Sequence, residues 1–355
     1  MNSNVIGVLD LAAYARNYGY AVDAYYLEEI NMTNQYDLIG LSIFEGENDA
    51  IFADITYLKN VYKGTKIIVG GRWTKIMDSR AIDWMQKNEI EVVIGEGEKY
   101  FNRGEDINYD TYPGWYKKDL LTMHVKGRNI MSSRGCPFQC HFCHNPEKDI
   151  NYFNSNYTAD NIQMLFEQGL EQIFFVDDIF TLNISHMMNI RDTLLRRQIN
   201  LDKKNLFFTH VNLINENNSE IMKLFNPLEV QVGLESGDDI MLKRMGKNFN
   251  AEKAFNKVST LSKYVPVNGL FLIGYPGETI TSLQNTVEFV KRLKPYLSNK
   301  WVSLFQPIKN TRGYYEALKE GDIKGELRNN SIIHYLPEGL KEEDLIKYRN
   351  LIMQI

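Results

Sequence analysis

Short apolar runs alternate with stretches of helical periodicity in the first third of the chain. The runs 38–43 and 66–71 are bounded by polar residues or end in glycine, which is typical of buried strands. The predicted elements are helices at 8–18, 48–62 and 81–87 and strands at 21–26, 38–43, 66–71 and 91–94. This alternation predicts an α/β unit with a Rossmann-like, doubly wound parallel sheet. Ligands of such sheets bind beyond the carboxyl ends of the strands.

A second alternating series follows a segment at 109–128 in which glycine, proline and aromatic residues indicate a connector. Strands are predicted at 129–133, 172–176, 206–209, 229–233, 267–273 and 301–305, with helices such as 162–168, 185–198, 251–264 and 283–293. Six such units predict a partial, TIM-like (β/α)6 barrel with its site at the C-terminal strand ends. The predicted domains are the sheet at 1–108, the connector at 109–128, the barrel at 129–320 and a helical tail at 321–355, in which 336–355 has the period of one amphipathic helix.

All three cysteines of the chain lie within eight residues, at Cys136, Cys140 and Cys143. Three clustered thiols cannot build a disulfide framework, but they suit a soft metal or an iron–sulfur cluster. A [4Fe–4S] cluster held by three thiolates would keep one iron open for a substrate. Zinc would need His141 or His144 as a fourth ligand. Residues 140–144 also match the C-x-x-C-H pattern of c-type haem, which leaves Cys136 unexplained. The cluster is the favoured interpretation.

Composition narrows the class of protein further. Of 355 residues, 44% are hydrophobic and 24% charged, which is ordinary for a globular protein. The net charge of −5 gives no reason to expect a nucleic-acid partner. No apolar run approaches the ~20 residues of a membrane span, and no charged-then-apolar leader opens the sequence. Because free, clustered thiols suit a reducing compartment, we expect a cytoplasmic protein without a membrane partner.

The cysteine loop, with Phe142 directly before its last cysteine, resembles the loop of the radical S-adenosylmethionine (SAM) enzymes. The wider string MSSRGCPF at 131–138 is similar to that of the subgroup with a cobalamin-binding domain. Further similar strings follow: FVDDIF at 175–180, GLESG at 233–237 and GYPGET at 274–279. The resemblance covers nearly the whole chain, and the cysteine loop is its most specific part.

The resemblance implies an enzyme whose [4Fe–4S] cluster binds SAM through its amino and carboxylate groups and splits it reductively to a 5′-deoxyadenosyl radical. In methylating relatives, methylcobalamin then supplies a methyl group to a carbon of the substrate, so a cobalamin-dependent C-methyltransferase is the expected function. The alternatives are an epimerisation, cyclisation or rearrangement with a vestigial cobalamin domain, or a non-catalytic cluster or zinc protein. The implied partners are a small-molecule or peptide substrate and an electron donor such as flavodoxin or ferredoxin.

The resemblance also assigns residues to ligands. The implied cluster ligands are Cys136, Cys140 and Cys143, and the implied SAM-binding residues are Phe142, Asp177, Asp178, Glu235, Ser236 and Gly274. The implied cobalamin-binding residues are Ser42, Gly70, Gly71, Thr74 and Gly95. Cofactors are thus the cluster, SAM and, in the methyltransferase interpretation, cobalamin.

Three departures from the family pattern bear on these assignments. The segment 1–7 is short and polar, so the sequence leaves open whether the first sheet has the family's opening strand. The chain has no D-x-H-x-x-G string, so no histidine is marked as a cobalt ligand. His210 stands at the third barrel strand, where many relatives carry an arginine for the SAM carboxylate.

Overall fold

The computed structural model describes residues 6–27, 30, 33–43, 48–115, 128–143, 149–202, 204–321, 323 and 333–355. Contacts divide the chain into two compact units. The first comprises Met1–Asn129 with Asn156–Gly169, and the second comprises Ile130–Ser155 with Leu170–Ile355. The helix at Ser155–Glu167 therefore groups almost wholly with the first unit, although it follows the cysteine loop in sequence.

In the first unit, the described residues form a sheet of three parallel strands in the order β1-β2-β3. Its elements are α1 (Ile6–Asn17), β1 (Leu38–Ser42), α2 (Asn48–Val61), β2 (Lys66–Gly70), α3 (Ser79–Lys87), β3 (Glu91–Val92), α4 (Glu98–Phe101) and most of α5 (Ser155–Glu167). Buried apolar side chains of β1 and β2 pack with those of α2 and α3 into one core, which includes Ile39, Val69, Ile55 and Met85. The predicted parallel alternation is therefore present from β1 onward.

The strand predicted at 21–26 is absent from this described segment, which has no regular structure. The carbonyl of Val22 accepts hydrogen bonds from the guanidinium group of Arg16 instead of from a neighbouring strand. The prediction was wrong because β-forming side chains satisfy only one requirement of a strand, and a partner strand is the other. Residues 1–5 lie outside the described part, which opens with α1.

In the second unit, the strand order β4-β7-β8-β9-β10-β11 of the described six-stranded sheet follows the order along the chain. The strands are β4 (Asn129–Ile130), β7 (Ile173–Phe175), β8 (Asn205–Thr209), β9 (Glu229–Glu235), β10 (Val267–Ile273) and β11 (Asn299–Leu304). The four pairs from β7 to β11 are parallel. The helices are α6 (Ile184–Arg196), α7 (Glu216–Lys223), α8 (Asp239–Arg244), α9 (Ala251–Leu261), α10 (Ile280–Leu293), α11 (Arg312–Glu320) and α12 (Glu342–Gln354). This is the βα alternation that the sequence predicts.

Two predicted elements have different bounds from those expected. The strand at 129–133 is split into β4 and β5 (Ser133–Arg134), and β5 pairs antiparallel with β6 (Asn151–Tyr152). The helix predicted at 336–355 begins only at Glu342, because Pro337 and Gly339, at φ +80°, precede it.

A buried carboxylate organises polar groups inside the first unit. Asp10 of α1 is fully buried, and its Oδ1 accepts hydrogen bonds from Trp115 Nε1 at 2.7 Å and from the Tyr157 hydroxyl at 2.5 Å. Trp115 and Tyr157 are themselves almost wholly buried. The carboxylate thus joins α1 to the end of the connector and to α5.

Replacing Asp10 with alanine should lower the free energy of unfolding by about 3 kcal/mol, because two buried donors lose a charged acceptor. Denaturant titration followed by tryptophan fluorescence measures the change. The matched control is Asp54→Ala on the exposed face of α2, which should stay within about 0.5 kcal/mol of the wild type. Equal stability of the two variants would contradict the role given to Asp10.

Candidate active site

The cysteine loop begins at a backbone position that only glycine can occupy. Gly135 has φ +99°, and a Cβ atom there would lie 2.1 Å from the Asp149 carbonyl oxygen. The adjacent β5–β6 pairing, Ser133 with Tyr152 and Arg134 with Asn151, closes the base of the loop. The two ends of the loop, at Gly135 and Asp149, are therefore in close backbone contact.

The three thiols of the loop affect one another. Burial raises the pKa of the Cys136 thiol to about 11, the backbone at Phe138 lowers it, and the negative charges of Asp178, Cys140 and Cys143 raise it further. Cys136 and Cys140 are half-buried, whereas Cys143 is exposed. Among the described residues, no three His, Cys, Asp or Glu side chains are already placed to hold a metal ion. Three cysteine donors on one loop are the ligand type that an iron–sulfur cluster takes, so the residue types fit such a cluster.

His141 bonds the middle of the loop to two distant parts of the second unit, at 244–245 and at 312–313. Its N–H donates to the Met245 carbonyl at 2.9 Å, and its carbonyl accepts from the Gly313 N–H at 2.8 Å. Its Nδ1 lies 2.6 Å from the Arg244 carbonyl and its Nε2 3.3 Å from Arg312 Nη1. Both ring nitrogens are engaged with protein, which argues against His141 as a zinc ligand. His144 lies outside the described residues.

The structure gives the two neighbouring aspartates after β7 different surroundings. Asp177 is buried and accepts hydrogen bonds from the Ser132 N–H at 3.0 Å and from the hydroxyls of Ser132 and Ser133 at 2.6 Å each. Burial raises the pKa of Asp177 to about 6, and these hydrogen bonds oppose the shift. Asp178 is exposed and acts electrostatically on Cys136. Asp177 thus holds the turn that splits the predicted strand, and Asp178 faces the cysteines.

Glu235 ends β9 in the left-handed backbone region, at φ +63°. Its Oε1 lies 2.9 Å from Nζ of Lys247, and both side chains are nearly buried. Lys247 Nζ also lies 5.2 Å from the centre of the Phe142 ring. Sequence reasoning missed Lys247, whose only signal is its place directly after a glycine that follows α8. Through it the structure brings Glu235 and Phe142 together.

Ser236 contacts α10 and the residues directly after β9. Its hydroxyl is buried, lies 3.0 Å from the Thr286 hydroxyl of α10 and accepts from the Asp238 N–H at 3.1 Å. A Cβ at the next residue, Gly237, would lie 2.4 Å from Cβ of Phe289. These contacts join the end of β9 to α10, and a SAM contact from Ser236 stays a prediction.

Gly274 follows β10 at φ +81°, and its N–H donates to Glu278 Oε2 at 3.3 Å. A Cβ there would lie 3.2 Å from Leu345 of α12, so this backbone approaches another helix closely. Glu278 also accepts from the Ser282 hydroxyl. Burial raises the pKa of Glu278 to about 7, against the effect of these two hydrogen bonds.

His210 has a structural role at the end of β8. Its Nδ1 accepts from the Asn212 N–H at 3.2 Å, which caps the following turn. Its ring stacks on Phe138 of the cysteine loop, with centroids 3.7 Å apart and an angle of 13°. Burial first, and then the charge of Lys247, lower the pKa of His210 to about 3. The residue therefore supports the loop as a neutral aromatic ring.

In the first unit, the residues predicted to bind cobalamin lie at or just after the carboxyl ends of the strands. They are Ser42 and Gly70, which are register partners, then Gly71, Thr74 and Gly95. Gly71 has φ +92°, and a Cβ there would lie 2.5 Å from the Ile43 carbonyl.

The residues of this predicted site differ in how accessible they are to a ligand. The Thr74 hydroxyl is buried and donates to the Gly71 carbonyl at 2.8 Å, so it serves the turn. Gly95 has φ +100° and open space around it. Ser42 and Gly95 are exposed, so they present accessible surface at the strand ends.

Residues 130–290 match the family model of the radical SAM superfamily, which spans the cysteine loop and the strands from β7 to β10. Less than half of the chain is matched, and that part is similar to the radical SAM superfamily. An uncharacterised methyltransferase of Pyrococcus horikoshii is 31% identical over 196 residues, which are 52% of this chain and 40% of that protein. The chain thus spans less than half the length of this relative.

Two solved structures share the fold. The radical SAM methyltransferase TsrM from Kitasatospora setae, with tryptophan and a SAM analogue bound, superposes with a TM-score of 0.70 at 15% identity, over 98% of this chain and 80% of that one. The cobalamin-dependent enzyme OxsB, with aqua-cobalamin bound, gives a TM-score of 0.62 at 15% identity, over 88% and 52%. The resemblance to radical SAM enzymes and the predicted α/β fold class are confirmed. In the described part of the chain, no helix has the length and apolar character needed to cross a membrane.

Gly135→Ala should destabilise the protein by at least about 2 kcal/mol more than Gly64→Ala. Both positions have a positive φ, at +99° and +85°, but a Cβ at Gly64 meets nothing within 4 Å. The control therefore carries the backbone strain of about 1–2 kcal/mol without the clash. Denaturation midpoints measure the difference. Equal losses of stability in the two variants would refute the close contact between Gly135 and Asp149.

Glu278→Gln should flatten the pH dependence of stability. The folded pKa of about 7 exceeds the ordinary value of 4.5, so the folded state retains this proton longer. The wild type should therefore lose stability as pH rises from about 4.5 through about 7, by about 3 kcal/mol from this group. Denaturant titrations at pH 4.5 and 8 measure the slope. A variant that keeps the wild-type slope would disprove this assignment.

Proposed function

We propose that this chain cleaves SAM reductively at a [4Fe–4S] cluster held by Cys136, Cys140 and Cys143 and transfers a methyl group to a carbon atom with the help of cobalamin. The observation that carries the proposal is the cysteine loop itself, which begins at Gly135 in close contact with Asp149 and is bonded through His141 to Met245 and Gly313. The radical SAM family match spans this loop. When bound, the cluster supplies the electron that splits SAM, and cobalamin supplies the methyl carrier.

The chain's own residues would bind and orient SAM. Three thiolates on four irons leave one iron without a protein ligand, where the amino and carboxylate groups of SAM would bind. Asp178 is exposed next to Cys136 and would accept a hydrogen bond from the amino group. Glu235 has a second carboxylate oxygen that would accept from a ribose hydroxyl. Gly274 stays a predicted contact of the adenine through its backbone, because Leu345 of α12 already fills the space on its Cα side.

In the first unit, Ser42, Gly70, Gly71 and Gly95 would contact cobalamin at the strand ends. The accessible positions Ser42 and Gly95 support this placement, as does the cobalamin named in the OxsB structure. The sequence marks no histidine as a cobalt ligand, so we expect cobalamin to bind without one.

A second candidate is a radical SAM enzyme that has a vestigial cobalamin domain and catalyses an epimerisation, cyclisation or rearrangement. Two observations favour it: the described part of the first sheet has three strands and opens with a helix, and the Thr74 hydroxyl is used within its own turn. Under either candidate, we propose a small-molecule or peptide substrate, flavodoxin or ferredoxin as electron donor, and a cytoplasmic location.

Anaerobic reconstitution with iron, sulfide and hydroxocobalamin tests the proposal. After desalting, the wild type should retain about four irons, show broad absorption near 400 nm and retain one cobalamin. With SAM and a chemical reductant, mass spectrometry should detect 5′-deoxyadenosine. Cys136→Ala, Cys140→Ala and Cys143→Ala should each lose the cluster and this product.

The outcomes separate the candidates. A colourless wild type that carries one zinc would refute the cluster. A wild type that forms 5′-deoxyadenosine but retains no cobalamin would favour the vestigial domain over methyl transfer. Lys243→Met, a change on the exposed surface of α8, serves as the control and should behave as the wild type.

A further inference from the structure

We infer that Glu320 of α11 is a positioning residue that holds the turn at 274–278 in the shape in which its backbone meets the adenosyl part of SAM. The inference rests on the proposed function, because that function expects the adenine at this turn after β10. Glu320 lies outside the strings that resemble those of the radical SAM family, and it acts through the turn rather than on SAM itself.

Three donors from different parts of the second unit converge on the Glu320 carboxylate. Arg244 Nη2 lies 2.6 Å from Oε1, and the Gly277 N–H and the Tyr335 hydroxyl donate to Oε2 at 2.9 and 2.8 Å. Both carboxylate oxygens are therefore engaged, one of them by a backbone N–H of the turn. Because hydrogen bonds to an ionised acceptor are the stronger class, this carboxylate fixes the direction of the Gly277 N–H.

Gly277 lets the guanidinium group of Arg244 lie directly against the turn. Its φ is +80°, and a Cβ atom there would overlap that guanidinium group. The backbone carbonyl of Arg244 lies 2.6 Å from Nδ1 of His141 in the cysteine loop. Arg244 thus contacts the turn through its side chain and the cysteine loop through its main chain. Glu320 is the ion-pair partner that keeps the guanidinium group at the turn.

The same helix also holds the start of the turn. The buried Tyr275 donates a hydrogen bond from its hydroxyl to Glu316 Oε2 at 3.1 Å. Glu316 and Glu320 are four residues apart, so they lie on one face of α11. Within the turn, the Glu278 N–H donates to the Tyr275 carbonyl at 2.9 Å. One helix face therefore bonds two positions of the turn and restricts the backbone between them.

Glu320 occupies a position that its own helix disfavours. It is the last residue of α11, where the negative end of the helix dipole repels a carboxylate. Its three hydrogen bonds go to residues outside α11. A residue that breaks a local preference is expected to serve a contact elsewhere in the structure. Glu320 thus serves the turn rather than the helix that carries it.

A fixed turn favours binding because a preorganised backbone loses less conformational freedom when the ligand arrives. A glutamine at position 320 has one oxygen acceptor and one amide group that only donates. Either Gly277 or Arg244 would then lose its acceptor, and the turn would be held less firmly. SAM should therefore bind more weakly, while the residues of the cysteine loop are unchanged.

Formation of 5′-deoxyadenosine by the reconstituted protein, measured against SAM concentration, tests the inference. Glu320→Gln should raise the KM for SAM at least tenfold, with kcat within twofold of the wild type and the iron content unchanged. Equilibrium dialysis gives a second readout with 5′-deoxyadenosine, which has the adenosyl part of SAM but lacks its amino and carboxylate groups. Its affinity should fall by the same factor.

Two variants serve as controls. Tyr335→Phe removes one donor from the same carboxylate but leaves the bond to the Gly277 N–H. Glu252→Gln breaks an exposed ion pair with Arg292, in which the two atoms are 2.8 Å apart. Both variants should keep the KM for SAM within twofold of the wild type, although Tyr335→Phe should lower the denaturation midpoint because Tyr335 is buried.

The controls separate positioning from stability. An unchanged KM in Glu320→Gln would overturn the inference, and so would a KM that rises in Tyr335→Phe in proportion to its loss of stability. If Glu320→Gln does not fold, Arg244→Met decides: a tenfold rise in KM supports the inference, and an unchanged KM overturns it. A wild type that forms no 5′-deoxyadenosine would refute the proposed function and this inference with it. A wild type that cleaves SAM with the same KM as Glu320→Gln would refute only this inference.

Discussion

The backbone hydrogen bonds of His141 are the interaction on which the site depends. A loop of nine residues with three thiols has no regular structure of its own, and one residue bonds it to Met245 and Gly313. The imidazole adds contacts to Arg244 and Arg312. The loop is thereby positioned by the chain after α8 and by the start of α11. Its geometry is a property of the whole second unit rather than of the cysteine motif.

Charged side chains at the strand ends differ in their burial and in their partners. Asp177 and Glu278 are buried, which raises their pKa values, and their hydrogen bonds to neighbouring groups oppose that rise. Asp178 remains exposed, and Glu235 has one oxygen on Lys247. A buried carboxylate with partners inside the protein can thus still lie near the site. Asp177 and Asp178 are neighbours in sequence, but they need not share a role.

The sequence predicts elements well where the apolar pattern is strong. It predicts them poorly where a contact with a residue far away in sequence determines the local structure. The bounds of β10 are as predicted, because Val267 and the apolar run from Leu270 to Ile273 mark a buried strand. The splitting of 129–133 could not be predicted, since it depends on Asp177 more than forty residues later. The ion pair of Lys247 could not be predicted for the same reason, because its partner Glu235 is near only in space. The division into domains and the ligand roles of the site residues stay predictions.

Met245, Gly246 and Lys247 each contact the cysteine loop or its surroundings, and α9 begins only four residues later, at Ala251. A single inserted or deleted residue at 245–247 would displace all three contacts together. The short segment between α8 and α9 has no spare residues to absorb the change. The turn after α9 carries no comparable contact to the cysteines among those described here. We therefore expect length variation, peptide tags or circular permutation to be tolerated near 262–264 and to abolish the site at 245–247.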